Sequence, residues 1–208
     1  MNIAFLIYPG FTALDIVGPF DVLSRLPGAN AAFIAKETGP VPNDNDVLQI
    51  VATETLAQRP KPDLFVVPGG TEGTMAAAQD EETLDWVRGA HEGSTWSTSV
   101  CTGSLILGAA GVLQGKDATT HWAMAEQLGA TGATYKAERW VREGKIITAA
   151  GVSAGIDMAL FLAAEIVGDT GAKALQLGIE YDPAPPFDSG SVAKATPEVL
   201  EAVQSVFT

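Results

Sequence analysis

Short apolar runs closed by proline or glycine alternate along this chain with stretches of helical period, and that alternation predicts the order of its elements. Residues 2–8 form a continuous apolar run ended by Pro9-Gly10, the pattern of a strand buried on both faces. Leu14, Val17 or Gly18, Val22 and Leu26 then recur at helical spacing, with Pro19 expected near the helix's first turn, where a missing N–H is tolerated. Residues 31–36 read as a second strand, 40–46 as a polar loop and 63–67 as a further buried strand closed by Pro68-Gly69-Gly70. An amphipathic helix over 80–92 presents Leu84, Val87 and Trp86 inward.

Residues 94–100 read as a strand, and the nearly all-apolar 105–113 as a central helix ended by Gly111 or Gly115. A short strand over 117–120, a helix over 123–128 and paired strands over 139–142 and 145–148 follow. Helices over 154–167, 170–177 and 196–207 complete the chain, the last two separated by the proline-rich run 181–187. Strands alternating with helices predict an α/β three-layer sandwich, a mainly parallel sheet with helices on both faces. Ligands in such sheets gather beyond the carboxyl ends of the strands. Pro9-Gly10, Gly69-Gly70, Cys101 and Gly151-Val152-Ser153 all lie there and are expected to converge in one crevice.

A length of 208 residues predicts a single domain, 1–208, able to bury its own core. No run of 18 or more apolar residues appears and the N-terminus has no basic flank, so neither a membrane span nor a signal peptide is expected. The net charge of −13 and the lack of any basic stretch argue against a nucleic-acid partner. One cysteine cannot form an internal disulfide, which fits a reducing, cytoplasmic compartment. His91 and His121 have no cysteine or paired carboxylate at metal-ligand spacing, and neither a Walker loop nor a Gly-x-Gly-x-x-Gly run occurs; no metal and no cofactor is expected.

Cys101 stands where a strand gives way to a helix, among small polar residues and before Gly103, as tight elbows that expose a nucleophile do. Unpaired helix N–H groups and the positive end of the dipole are expected to favour its thiolate; the alternative is a buried, inert cysteine. Asp15 follows Leu14 in an apolar setting just beyond the first strand, either as a helix-terminal charge or as an acid beside Cys101. In the second case burial and a neighbouring thiolate make it hold its proton, and the two groups titrate as a couple. Gly70 and Thr71 offer backbone N–H groups to developing charge, or form an ordinary turn. Thr102 adds a hydroxyl that orders a water, or a plain cap. His121 is either the base of a Cys-His-acid set or a structural histidine.

Taken together, Ser99-Val100-Cys101-Thr102-Gly103-Ser104, Leu14-Asp15-x-x-Gly18-Pro19, Pro68-Gly69-Gly70-Thr71, Ala118-Thr119-Thr120-His121-Trp122 and Gly155-Ile156-Asp157 give the chain a family likeness. It resembles the ThiJ/PfpI branch of the glutamine-amidotransferase-like superfamily, and within it the isonitrile (isocyanide) hydratases. The resemblance continues through Glu180-Tyr181-x-Pro183-Ala184-Pro185-Pro186-Phe187. It implies a flavodoxin-like sandwich, a homodimer with sites near the interface, Cys101 as nucleophile, Asp15 as acid, and a strained turn at residues 150–153 that sets Val152, with His121, at the substrate. Peptidase-like members carry histidine directly after the nucleophile, where this chain has Thr102; glyoxalase-like members use glutamate where it has Asp15. Related sensor domains of transcription regulators are followed by a helix-turn-helix region, for which a chain ending at Thr208 leaves no room. The implied activity is hydration of an isocyanide to an N-substituted formamide through a thioimidate on Cys101. The alternatives are an enzyme of α-oxoaldehydes and a non-catalytic cysteine sensor of redox state.

Overall fold

The computed structural model describes residues 1–206. Its first half runs β1 (Asn2–Leu6), α1 (Ala13–Leu23), β2 (Asn30–Ala35), β3 (Gly39–Pro42), β4 (Gln49–Ala52), β5 (Glu54–Thr55), β6 (Leu64–Val67), α2 (Glu72–Ala77) and α3 (Glu81–Gly93). Next come β7 (Trp96–Val100), α4 (Gly103–Ala109), β8 (Asp117–Ala118), α5 (Ala125–Ala130) and β9 (Thr134–Tyr135). The chain continues with β10 (Trp140–Glu143), β11 (Ile146–Ala149), α6 (Ala154–Gly178) and α7 (Pro197–Val206). The predicted end of the last helix at Phe207 lies outside the described residues.

One seven-stranded sheet in the order β10-β11-β7-β6-β1-β2-β5 forms the middle layer. All its neighbours are parallel except the β10–β11 hairpin. Every residue of β6 and β11 is buried, as strands covered on both faces require. Helices α1 and α6 pack on each other over one face, and α4, with α2 and α3 beside it, covers the other. The three-layer α/β sandwich predicted from the apolar pattern is therefore the observed fold. Among the described residues no helix is long and apolar enough to cross a membrane.

The close contact of α1 with α6 depends on small residues. A Cβ on Gly18 would sit 2.8 Å from Ile156 Cγ1, and one on Gly155 would meet Pro19 and Val100 at 3.0 Å. Pro19 is not in the first turn as expected but lies inside α1, where tertiary packing outweighs its missing N–H. The face of α1 also differs from expectation: Leu14 is exposed, whereas Asp15 is wholly buried beside Ile16, Gly18 and Val22. The loop expected over 40–46 begins with the strand β3, whose alternation is masked by Pro40 and Pro42 and whose one buried residue is Val41. Helix α2 has no counterpart in the expected elements. The expected 154–167 and 170–177 helices are two arms of α6, joined at Gly168 in a non-helical conformation (φ 76°, ψ 165°).

Helix α4 starts against the loop after β6, and only glycine fits there. A Cβ at Gly103 would stand 2.2 Å from the Val67 carbonyl oxygen and 2.6 Å from that of Pro68, both backbone atoms. Gly103→Ala is therefore expected to lower stability by about 1–3 kcal/mol through overpacking. Gly89→Ala, in the interior of α3 with nothing within 4 Å, is expected to be neutral or to stabilise by up to about 1 kcal/mol. Urea unfolding midpoints of the two variants measure the difference.

Candidate active site

β7 delivers Cys101 at its carboxyl end, and the residue turns into the left-handed region (φ 56°), which an L-residue adopts only when its surroundings hold it. Its N–H is shared between the carbonyls of Ala149 (3.1 Å) and Ala150 (3.0 Å). Its carbonyl accepts from Ser104 Oγ (3.2 Å) and Thr120 Oγ1 (3.1 Å). These bonds fix the elbow and aim the side chain into the crevice beyond β1, β6 and β11. The thiol is buried, with 6% exposure.

Asp15, from the first turn of α1, enters the same crevice and is completely buried. Its Oδ2 accepts the Gly69 N–H at 2.7 Å. Interaction with the Cys101 side chain also acts on the carboxyl, but no full hydrogen bond reaches Oδ1 among the described residues, so this oxygen has an unspent acceptor. Of the two readings of Asp15, the buried acid beside the thiol is the one realised. A helix-terminal charge would stand in solvent.

Burial raises the Asp15 pKa from 3.8 to about 7, opposed by the Gly69 and Cys101 bonds and reinforced by the charge of Asp44. Burial first, and then the Asp15 charge, pushes the Cys101 thiol up to about 12, although the N–H groups of Val152 and Thr102 and the Thr102 side chain favour its ionised form. The sequence-based expectation that the strand-to-helix turn favours the thiolate is thus corrected. Desolvation and a neighbouring carboxylate outweigh the backbone donors, and once Asp15 has ionised the remaining proton rests on sulfur. Ionisation of Cys101 requires Asp15 to take that proton.

The turn after β11 completes the wall. Val152 has φ 35°, a strained value for a β-branched residue, and its N–H acts on the Cys101 sulfur in favour of the ionised form. His121 packs against the same turn, since a Cβ at Gly151 would lie 2.6 Å from its Cδ2. Its Nδ1 accepts from the Ala123 N–H at 3.4 Å, burial lowers its pKa, and it has no hydrogen bond to Cys101 or Asp15 among the described residues. It is therefore packed against the turn beside the nucleophile and makes no bond through which it would serve as base to the thiol.

The backbone donors expected of Gly70 are already spent. The Gly70 N–H donates to Thr102 Oγ1 (3.0 Å), and its carbonyl accepts from Thr102 (2.8 Å) and Thr74 (2.9 Å). Gly70 holds the floor of the site and has no N–H left for substrate. The Thr102 hydroxyl is likewise committed to this floor, not to a water. Thr71 is exposed, one residue before α2, at a rim shared with Asp44 and Glu72.

Three contributors escaped the sequence reading. Tyr8, at the end of the first apolar run, donates to the Pro68 carbonyl (2.7 Å) and contacts Thr74 Oγ1 (3.1 Å). Thr74 lies in α2, which no periodicity announced. Asp44 is held by the Thr12 hydroxyl (2.8 Å), and Thr12 leaves the N-terminus of α1 without a side-chain cap to do so. The buried Tyr8 and Thr74 need partners far apart in sequence, and only the fold supplies them.

A carboxyl whose folded pKa exceeds its unfolded one binds more protons when folded. For Asp15 the window runs from 3.8 to about 7, so its contribution to stability is present at low pH and lost as pH rises through that window. Asp15→Asn is expected to melt a few degrees above the parent at pH 8 and to lose most of that advantage at pH 4. Thermal unfolding at both values tests it, and an equal difference at the two would assign the effect to another cause.

Comparison with known proteins identifies the relatives of this chain. The DJ-1/PfpI family matches residues 1–165. The chain is 46% identical over 201 residues to the isonitrile hydratase of Pseudomonas putida, spanning 97% of this chain and 87% of that protein. It superposes on the crystal structure of a ThiJ/PfpI family protein from Pseudomonas syringae with a TM-score of 0.94 and 43% identity, covering 99% of this chain and 85% of that one. The more distant DJ-1β of Drosophila melanogaster superposes with a TM-score of 0.78 at 26% identity, over 86% of this chain and 97% of its own. A buried cysteine elbow facing an acid from the first helix thus stands in a chain that belongs to the DJ-1/PfpI family.

Proposed function

We propose that this chain is an isonitrile hydratase, converting an isocyanide and water into an N-substituted formamide, with Cys101 as nucleophile and Asp15 as the group that moves every proton. The observation that carries this is the burial of one thiol and one carboxyl that interact with each other, Cys101 and Asp15. The 46% identity to the Pseudomonas putida isonitrile hydratase supports the reaction.

An isocyanide, R–N≡C, needs both a nucleophile and a proton at its terminal carbon. Asp15 carboxylate takes the thiol proton, and Cys101 sulfur attacks the carbon. Asp15 returns the proton to that carbon, leaving the thioimidate R–N=CH–S on Cys101 and a carboxylate at residue 15. That carboxylate then deprotonates a water as it adds to the carbon and passes the proton to the substrate nitrogen. Finally Asp15 takes the hydroxyl proton while the C–S bond breaks, and gives it back to sulfur, so R–NH–CHO leaves and the couple is restored. The Val152 and Thr102 N–H groups, which face the sulfur, stabilise it each time it carries charge. His121 and Val152 contact the substituent R.

A homodimer follows from the family resemblance. Exposed Leu14, next to Asp15 in the chain, and exposed Trp122, next to His121, leave apolar surface at the rim for a second copy to cover. A lone thiol whose turnover depends on staying reduced suits the cytoplasm.

Cys101→Ala is expected to abolish isocyanide consumption, and Asp15→Asn to reduce it by at least about 100-fold, within the range general acid–base catalysis supplies, with both proteins folded. Normal turnover in either would refute the roles. Mass spectrometry of the protein mixed with an isocyanide should show the substrate mass added at Cys101. The active form of the couple holds one proton, so kcat/KM should rise with pH through about 7 and reach a plateau; a rate falling across that range would contradict the mechanism.

A further inference from the structure

Beneath Cys101 lies a closed set of buried hydroxyls that the reaction itself does not use. Tyr8, Thr74 and Thr102 are 7%, 1% and 6% exposed. The Gly70 carbonyl receives two of their hydrogens, from Thr102 Oγ1 at 2.8 Å and from Thr74 Oγ1 at 2.9 Å, where one would satisfy it. The two threonine oxygens are themselves 2.9 Å apart. The Tyr8 hydrogen is occupied by the Pro68 carbonyl at 2.7 Å, which leaves its oxygen 3.1 Å from Thr74 as a contact and not a competing donor to Gly70.

We propose that Thr74 is a positioning residue for the nucleophile: its hydroxyl keeps the Gly70 carbonyl paired, so that the Thr102 hydroxyl is free to turn its hydrogen to the Cys101 sulfur when the thiolate forms. This rests on Cys101 acting as an ionised nucleophile. Without a second donor, the turn of Thr102 would leave a buried carbonyl unsatisfied and cancel what the sulfur gains. Thr102 follows Cys101 directly in the chain, and its side chain already favours the ionised sulfur, so what the step asks of it is a turn of its hydroxyl. The Gly70 N–H, bonded to the Thr102 oxygen at 3.0 Å, holds that oxygen in place in either state. The titratable group acting on the sulfur is Asp15 from α1, with Asp44 acting on Asp15 in turn; Tyr8 from beyond β1 feels the charges of Asp15 and Cys101 and stays protonated.

The test uses Cys101 as its own reporter, since it is the sole cysteine. Alkylation of the parent, Thr74→Val and Thr74→Ser proteins by iodoacetamide is followed between pH 7 and 10, together with kcat and KM for an aryl isocyanide. Thr74→Val is expected to alkylate about tenfold more slowly at each pH and to lose a similar factor in kcat with little change in KM, the size of a hydrogen bond to a charged group. Thr74→Ser, which keeps the hydroxyl, is expected to restore both. Thr102→Val should slow alkylation alike, and the double Val variant should be no slower than Thr102→Val alone. An alkylation profile unchanged in Thr74→Val, equal impairment of Thr74→Ser, or additive losses in the double variant would each overturn the proposal. Where Thr74→Val does not fold, Thr74→Ala is read in the same way. Because alkylation needs no isocyanide, a parent protein that alkylates normally yet leaves isocyanides unchanged would count against the hydratase function and not against the arrangement of hydroxyls.

Discussion

Two ionisable groups confined in one dry crevice set the terms for the rest of this molecule. Burial raises the Asp15 pKa to about 7, and burial together with the Asp15 charge raises that of Cys101 to about 12, because two adjacent negative charges cannot both be sustained away from water. Almost every nearby bond bears on this pair. The Gly69 N–H takes one carboxyl oxygen, and among the described residues the other has no hydrogen-bond partner. The Val152 and Thr102 N–H groups face the sulfur, and the hydroxyls of Thr74 and Tyr8 fill the space beneath.

Holding this couple in place strains the backbone. Cys101 and Val152 both occupy positive φ, each at a cost of roughly 1–3 kcal/mol, and the elbow persists because its N–H and carbonyl are each bonded twice. Small residues make the approach possible. Gly103 lets the start of α4 reach the carbonyls after β6, and a Cβ at Gly69 would stand 2.5 Å from Thr102 Oγ1 and 2.9 Å from Asp15 Oδ2. The glycines of the motifs are therefore steric requirements of a crowded site as much as turn formers.

The outline of the fold was legible because each main strand carries its burial in its own composition. The runs at residues 3–7 and 64–67 are apolar throughout, and the parallel sheet buries them on both faces. Less was legible where an element owes its existence to a partner. The strand β3 contains two prolines and forms by pairing with β4; α2 is a single short helix of weak period; Leu14 and Asp15 exchange the exposures their polarity suggests. At the site, Cys101 and Asp15 stood out by residue type and position. The ionisation state of the couple did not, because it depends on how much water the neighbours exclude.

The chain alone determined the α/β alternation, the family motifs and the singling out of Cys101 and Asp15 as the proposed nucleophile and acid, since these reside in local periodicity and in residue chemistry. The tertiary structure alone decided where the proton rests, which backbone donors are free, and what His121, Gly70 and Thr102 do. Those properties are set by distances of about 3 Å between residues tens of positions apart, as in the bonds Gly69–Asp15, Gly70–Thr102 and Tyr8–Thr74, and no local pattern encodes them.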